Sequence, residues 1–427
     1  MKKIYLMALS LLAMGTTTIA QDCTGGRYAT DIFTTVDITS DVNYGSNQSF
    51  SGATIQLDMD IYEPNGDTET ARPLIILAHG GSFIGGDKSD ASIVDLCDRF
   101  AKKGFVCASI GYRTGMWPID SVNAVKAVMR AVQDMKGAVR FFYEDAANAD
   151  AYKIDTTQIF IGGSSAGAVT ALHYAYLDKE CELEEFMSTS DITSLGGLEG
   201  NSGNAGYSTE VAGVINLCGA IARYGWIEAG DVPLVSLHGN EDDVVPYGRG
   251  EASVSGFGIM YLDGSRMIDE HAGTIGVQSN FFSHYGGGHV VYSGNATYMD
   301  TTENFIRDFL IDQFGCTEAA LQAPNTGTGA AELYPLTHCG LGFSDAEQMM
   351  IKDIYPNPSN DQITIQFENT SELKILQLID LSGRTVRSYK VNSSSLIIRK
   401  NDLNAGVYLL KTTNENGVTN TSKIIFE

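Results

Sequence analysis

Residues 158–176 read QIFIGGSSAGAVTALHYAY. The apolar run into Gly163 has the look of a buried strand, and the small-residue run from Ala166 reads as a helix. Between them Gly163-Ser164-Ser165-Ala166-Gly167 must turn tightly. A serine held in such a strand–turn–helix sits at strained backbone angles with its hydroxyl exposed, and the flanking glycines let strand and helix approach. The helix N-terminus then points its dipole at the hydroxyl and at any oxyanion formed there. The middle of the five-residue pattern is Ser165; taking Ser164 instead would leave Ala166 where the second glycine belongs. The bare pattern is weak in a chain with 46 glycines, so its context has to supply the weight.

Outward from this stretch, strand-like and helix-like segments alternate. PLIILAH (73–79), FVCASIGYR (105–113), VAGVINLCGAI (211–221) and VPLVSLHG (232–239) read as buried strands, and ATIQLDMDIYEP (53–64) alternates as a half-buried one. TTVDIT (34–39) and NFFSHY (280–285) are further strands. Helices are expected over 93–103, from residue 122 behind an N-cap at Ser121, near 265–272 and over 304–314. This alternation predicts a mostly parallel sheet with helices on both faces, whose sites form at the carboxyl ends of strands.

The remaining chemistry is expected there. A serine hydroxyl needs a base, and among seven histidines His289 follows the strand NFFSHY through three glycines. His284 lies within that strand; His173 and His271 fall on helices. After VPLVSLHG come Glu241, Asp242 and Asp243; Asp242 is the expected acid, orienting and stabilising the imidazolium. His79-Gly80-Gly81-Ser82-Phe83 follows PLIILA and leaves backbone N–H groups open to a substrate. Gly80, Gly81 or Ser82, together with Ala166, are the expected oxyanion donors. Tyr112, Trp117, Tyr224 and Trp226 lie after strands and are candidates for lining an acyl or aryl pocket.

Composition frames these expectations. The 427 residues carry a net charge of −24, which argues against nucleic-acid partners. The charge is uneven: residues 351–427 hold 9 Lys+Arg and 8 Asp+Glu, whereas the first 350 hold 19 and 44. All seven cysteines also precede residue 351. Lys2 and Lys3, the apolar IYLMALSLLAMG and the small residues Thr18 and Ala20, at −3 and −1 of a cut after Ala20, read as an export signal over 1–20. Export permits disulfides, and Cys316 with Cys339 is one candidate bridge. The expected organisation is a catalytic domain over 21–316 with an insertion at 180–209, a linker over 317–352, and a small all-β sandwich over 353–427. The insertion is either a cover for the site mouth or a solvated surface excursion. No metal-ligand spacing appears, and no cofactor is expected.

HGGSF, GGSSAG, HGNEDDVVP and GGGH together resemble the α/β-hydrolase superfamily in its carboxylesterase and lipase-like branch, over about residues 33–314. That resemblance implies Ser165 as nucleophile, Asp242 as acid, His289 as base and Gly80, Gly81 and Ala166 as oxyanion donors. Ser82 stands where a third glycine is common. IYPNPSND, DLSGR and LNAGVYLLK resemble a type A sorting domain of the type IX secretion system. This implies export through the periplasm of a Gram-negative bacterium, by the secretion machinery, to the medium or the cell surface. The expected activity is ester hydrolysis through an acyl-enzyme. The rivals are a serine peptidase of the same fold, a non-catalytic surface binding protein and, for the last domain alone, a glycan-binding module.

Overall fold

The computed structural model describes residues 23–316 except 255, then 320–327, 331 and 333–334, and later 353–367, 374–380, 384–414 and 419–427. The leader expected over 1–20, Cys339 and much of the linker lie outside these residues. The chain forms two compact units, Met1–Pro335 and Leu336–Glu427.

In the first unit the strands are β1 (Val36–Gln48), β2 (Thr54–Pro64), β3 (Arg72–Ala78), β4 (Val106–Ile110), β5 (Ile154–Ser164), β6 (Gly213–Leu217), β7 (Ala220–Ile221), β8 (Leu234–Gly239), β9 (Arg249–Val254), β10 (Phe257–Gly264) and β11 (Ser279–His284). The helices are α1 (Ala91–Lys102), α2 (Ser121–Ala147), α3 (Ala166–Tyr176), α4 (Glu180–Glu184), α5 (Thr189–Leu195), α6 (Ser265–Ile275) and α7 (Ala296–Gln313). One eight-stranded sheet runs β1-β2-β4-β3-β5-β6-β8-β11. β1, β2 and β4 are joined by antiparallel pairings; from β4 to β11 every pairing is parallel.

The parallel strands are the continuous apolar runs of the sequence because both of their faces are covered. Every residue of β3, β4, β6 and β8 is buried. Ile75, Leu77, Phe160 and Val235 share one core with Leu96 and Phe100 of α1 and Phe305 and Phe309 of α7. Cys23 is disulfide-bonded to Cys316, joining the two ends of this unit. That replaces the candidate Cys316–Cys339 bridge: the segment after α7 returns to the N-terminal segment.

Three local expectations shift. The cap of α2 is Asp120, whose carboxylate accepts from the Asn123 N–H at 2.8 Å; Ser121 is already helical. The single strand expected over 211–221 is broken at Cys218, which has φ +49, and resumes as β7. β7, β10 and β9 form a separate small sheet that the sequence reading did not anticipate.

The second unit holds β12 (Asp353–Tyr355), β13 (Gln362–Gln366), β14 (Lys374–Asp380), β15 (Thr385–Val391), β16 (Ser395–Arg399), β17 (Gly406–Asn414) and β18 (Thr419–Phe426). They form sheets β12-β13-β16 and β15-β14-β17-β18. Ile363, Ile365 and Ile398 of one meet Leu376, Leu378, Leu410 and Ile424 of the other in a common core, as a sandwich requires.

Candidate active site

Ser165 stands between β5 and α3 with φ 54° and ψ −115°, outside the ordinary regions for a non-glycine residue. The glycines around it are needed for space. A Cβ on Gly163 would lie 2.4 Å from the Ala78 carbonyl oxygen, and one on Gly167 would lie 2.0 Å from the same atom. The Ser165 N–H donates to the Leu217 carbonyl at 2.9 Å, tying the turn to β6. Ser164 faces the other way: its Oγ is 2.6 Å from the buried Tyr292 Oη.

Asp242 and His289 come from two loops bonded to each other. The Glu241 N–H donates to the Gly287 carbonyl at 2.9 Å, and the Gly286 N–H to Asn240 Oδ1 at 2.7 Å. Gly239 makes the crossing feasible, because a Cβ there would sit 2.3 Å from the Gly287 oxygen. The result is a continuous chain of contacts. His289 Nε2 lies 2.8 Å from Ser165 Oγ, and its Nδ1 lies 2.7 Å from Asp242 Oδ2. Asp242 Oδ1 accepts from the N–H groups of Val244 and Val245, both at 2.9 Å. Glu241 and Asp243, its neighbours, are exposed.

Sequence reasoning gave His238 no role. Its Nε2 lies 3.2 Å from Asp242 Oδ2, and its Nδ1 is 2.8 Å from Ser265 Oγ. It thus backs Asp242 from the strand that precedes it. Its place one residue before Gly239 was the available signal. His284 is buried against Phe282 and Tyr298, and burial, then nearby His238, lowers its pKa to about 4.

Burial alone would raise the Asp242 pKa; hydrogen bonds from His238 and His289 instead hold it well below the usual carboxylate range. Burial would lower that of His289. The hydrogen bond to Asp242 overrides it and, with the adjacent Cys218 and the Asp242 charge, pushes the value up to about 10. The arrangement favours an imidazolium, the form that follows proton abstraction from a serine.

The loop after β3 lies against Ser165. A Cβ on Gly80 would be 3.4 Å from Ser165 Cβ, and one on Gly81 (φ +116) would collide with the Gly85 carbonyl. Ser82 and Phe83 also have positive φ. Of the four expected donor residues, Ser82 and Ala166 line the same pocket as Ser165; Gly80 and Gly81 do not line it.

That pocket encloses about 830 Å³ of space between atoms, its mouth included. Its walls are almost wholly apolar. α2 supplies Val125, Val128 and Met129; the β9–β10 hairpin supplies Val254, Ile259 and Leu262; Leu183 and Phe186 come from the 180–209 insertion. His173 also lines it, its pKa lowered by burial to about 4 and its Nδ1 bonded to the Val169 carbonyl at 2.7 Å. Neutral, it adds no charge to the wall at ordinary pH. The rest of the insertion is bonded to the body: Ser202 Oγ donates to the buried Asp134 at 2.6 Å, beside Arg113.

The four candidate aromatics part company. Trp226 lines the pocket. Tyr112 instead packs on the loop after β3, stacked on His79 at 4.2 Å with its hydroxyl donating to the His79 carbonyl. Tyr224 packs against His271 and Tyr334 behind the small sheet. Trp117 is 76% exposed and does not line the pocket. Strand-end position brings a residue near the mouth, but packing under the loops decides which rings reach it.

Comparison with known proteins adds to this geometry. Residues 59–221 match the BD-FAE family, and residues 353–427 match the secretion system C-terminal sorting domain. A curated relative, ulvan lyase NLR42 of Nonlabens ulvanivorans, is 36% identical over 83 residues, 19% of this chain; the chain spans 15% of that protein's length. Similar solved structures include esterase 2 of Thermogutta terrifontis phosphorylated by paraoxon, with TM-score 0.48 and 18% identity over 65% of this chain and 94% of the other. The propionate-bound form of that esterase gives a TM-score of 0.47 at 18% identity, with the same coverage. The chain thus joins a segment similar to the BD-FAE family, residues 59–221, to one similar to the secretion system C-terminal sorting domain, residues 353–427.

Proposed function

We propose that this protein is an exported serine carboxylic-ester hydrolase with Ser165 as nucleophile, His289 as base and Asp242 as the acid that orients it. The observation that carries the reading is the contact chain from Ser165 through His289 to Asp242 at the mouth of an apolar pocket. His289 Nε2 takes the Ser165 proton as Oγ attacks the ester carbonyl. The oxyanion is received by backbone N–H groups at Ser82 and Ala166, at the N-terminus of α3. His289 returns the proton to the leaving alcohol, an acyl-enzyme forms, and water activated by the same imidazole releases the acid.

The pocket wall selects for an uncharged aliphatic or aryl acyl group; esters linked to polysaccharide, lipid or polyester all present one. The sorting domain directs the chain to type IX secretion, and the export signal over 1–20 with passage through the periplasm completes the proposed route. The test is a panel of soluble esters of increasing acyl length assayed on wild type and Ser165→Ala. Wild type is expected to turn over the panel, with the variant lower by on the order of 10⁴-fold or more while keeping its fold. Turnover that survives in Ser165→Ala would exclude the assignment.

A further inference from the structure

Cys218 is a buried thiol that the proposed reaction does not use. It follows β6 with φ +49 and is 2% exposed; its N–H donates to the Leu237 carbonyl at 2.8 Å. Ligand atoms of Cys218, Asp242 and His289 all lie within 4.8 Å of one another. The three residues follow β6, β8 and β11, which are adjacent in the sheet, so their mutual placement is held by strand pairing. A thiol, an imidazole nitrogen and a carboxylate oxygen form the mixed donor set of three-ligand zinc sites, which leave a fourth position open. The set is poorly suited to magnesium or calcium, which want oxygen ligands alone.

Supporting groups surround it. Cys218 Sγ lies 3.6 Å from Tyr292 Oη, which contacts Ser164 Oγ at 2.6 Å. Asp242 is held by His238 and by two backbone N–H groups. Such outer contacts fix ligand orientation in metal sites. The His289 side chain is 19% exposed and bonded to Ser165, a residue of the pocket wall, so an ion entering the cleft reaches the imidazole first.

We propose that Cys218, Asp242 and His289 form a site for a thiophilic divalent cation of the zinc type, and that the bound cation stops hydrolysis by occupying the imidazole. The binding stands on the ligand set alone; the inhibition rests on the hydrolytic reading above.

The test uses the full chain stripped of metal. Cadmium chloride is titrated while the ultraviolet thiolate-to-cadmium band is followed, and zinc chloride is added to a p-nitrophenyl acetate assay with magnesium and calcium chlorides as controls. Wild type is expected to develop the band at a single equivalent of cadmium. Ser165→Ala, which keeps all three ligands, should develop it equally. Cys218→Ser should not, although the free thiols Cys97 and Cys107 remain. Zinc should inhibit wild type reversibly, with chelator restoring the rate, and magnesium and calcium should not. The inhibition constant, taken against each protein's own metal-free rate, should weaken at least about tenfold in Cys218→Ser. Should that variant fail to fold, Asp242→Asn replaces it and should weaken cadmium binding at least about tenfold. A band that persists in Cys218→Ser, a wild type without the band, or equal zinc inhibition of both proteins would overturn the proposal. A chain that binds cadmium as expected but hydrolyses no ester would uphold the site and overturn the hydrolytic reading instead.

Discussion

The polar residues at the strand ends and the apolar walls of the pocket are built in different ways. Ser165, Asp242 and His289 follow β5, β8 and β11, and their backbones are confined by glycines whose missing side chains leave room for a neighbouring chain. The walls come from α2, the insertion and the β9–β10 hairpin, none of which supplies Ser165, Asp242 or His289. One region is fixed by close backbone approach, the other by side-chain volume on elements outside the central sheet. The chemistry and the choice of acyl group should therefore respond to mutation separately.

Beyond Ser165 itself, the largest expected effect lies at Asp242, the proposed acid. Asp242→Asn should lower kcat/KM by about 10⁴-fold for every ester, because the imidazole loses its orientation and its counter-charge. Asp243→Asn, at an exposed neighbour, should change it by less than about threefold. Equal losses in both variants would place the acid incorrectly.

A pH profile sharpens the same region. The proposed base must be neutral to act, and the Asp242 contact helps push the His289 pKa up to about 10. kcat/KM should accordingly rise by about tenfold per unit between roughly pH 7 and 9 and level off near 10. The rising limb should move to lower pH in Asp242→Asn, since the raising partner is gone. A wild-type profile that is flat from neutral pH upward would contradict the assigned electrostatics.

A smaller and selective effect is expected at the wall. Val128→Phe fills part of the pocket beside Ser165. It should lower kcat/KM for a p-nitrophenyl octanoate by about tenfold while changing the acetate by less than about threefold. A uniform loss across chain lengths would show that the wall and the strand ends are not separable.

These two regions also differed in how far the sequence revealed them. The elbow, the acid loop and the histidine loop are short segments in which glycine, small residues and one reactive group stand at fixed offsets, so local chemistry exposes them. The apolar face of α2 was legible as Val125, Val128, Met129 and Val132 at helical spacing, yet periodicity does not separate a face packed in a core from one that bounds a cavity. The β9–β10 hairpin went unseen because RGEASV and FGIMYLDG lack clean alternation, and its partner β7 has only two residues. The position of Cys218 beside His289 depends on a positive φ at a non-glycine residue, for which side-chain pattern has no signature. Tyr292 contributes through a contact with Ser164 from far along the chain, at a separation no local motif spans; His238 stands only four residues before Asp242, but which way its ring turns is set by packing, not by spacing.

The central claim is that Ser165, and not its neighbour, is the nucleophile of a working triad. Reaction of the full chain with a fluorophosphonate, followed by peptide mass spectrometry, tests it most directly. The account predicts one adduct, on Ser165, formed rapidly in wild type and lost in Ser165→Ala but retained in Ser164→Ala. An adduct on Ser164, or no adduct from a folded wild-type protein, would contradict it.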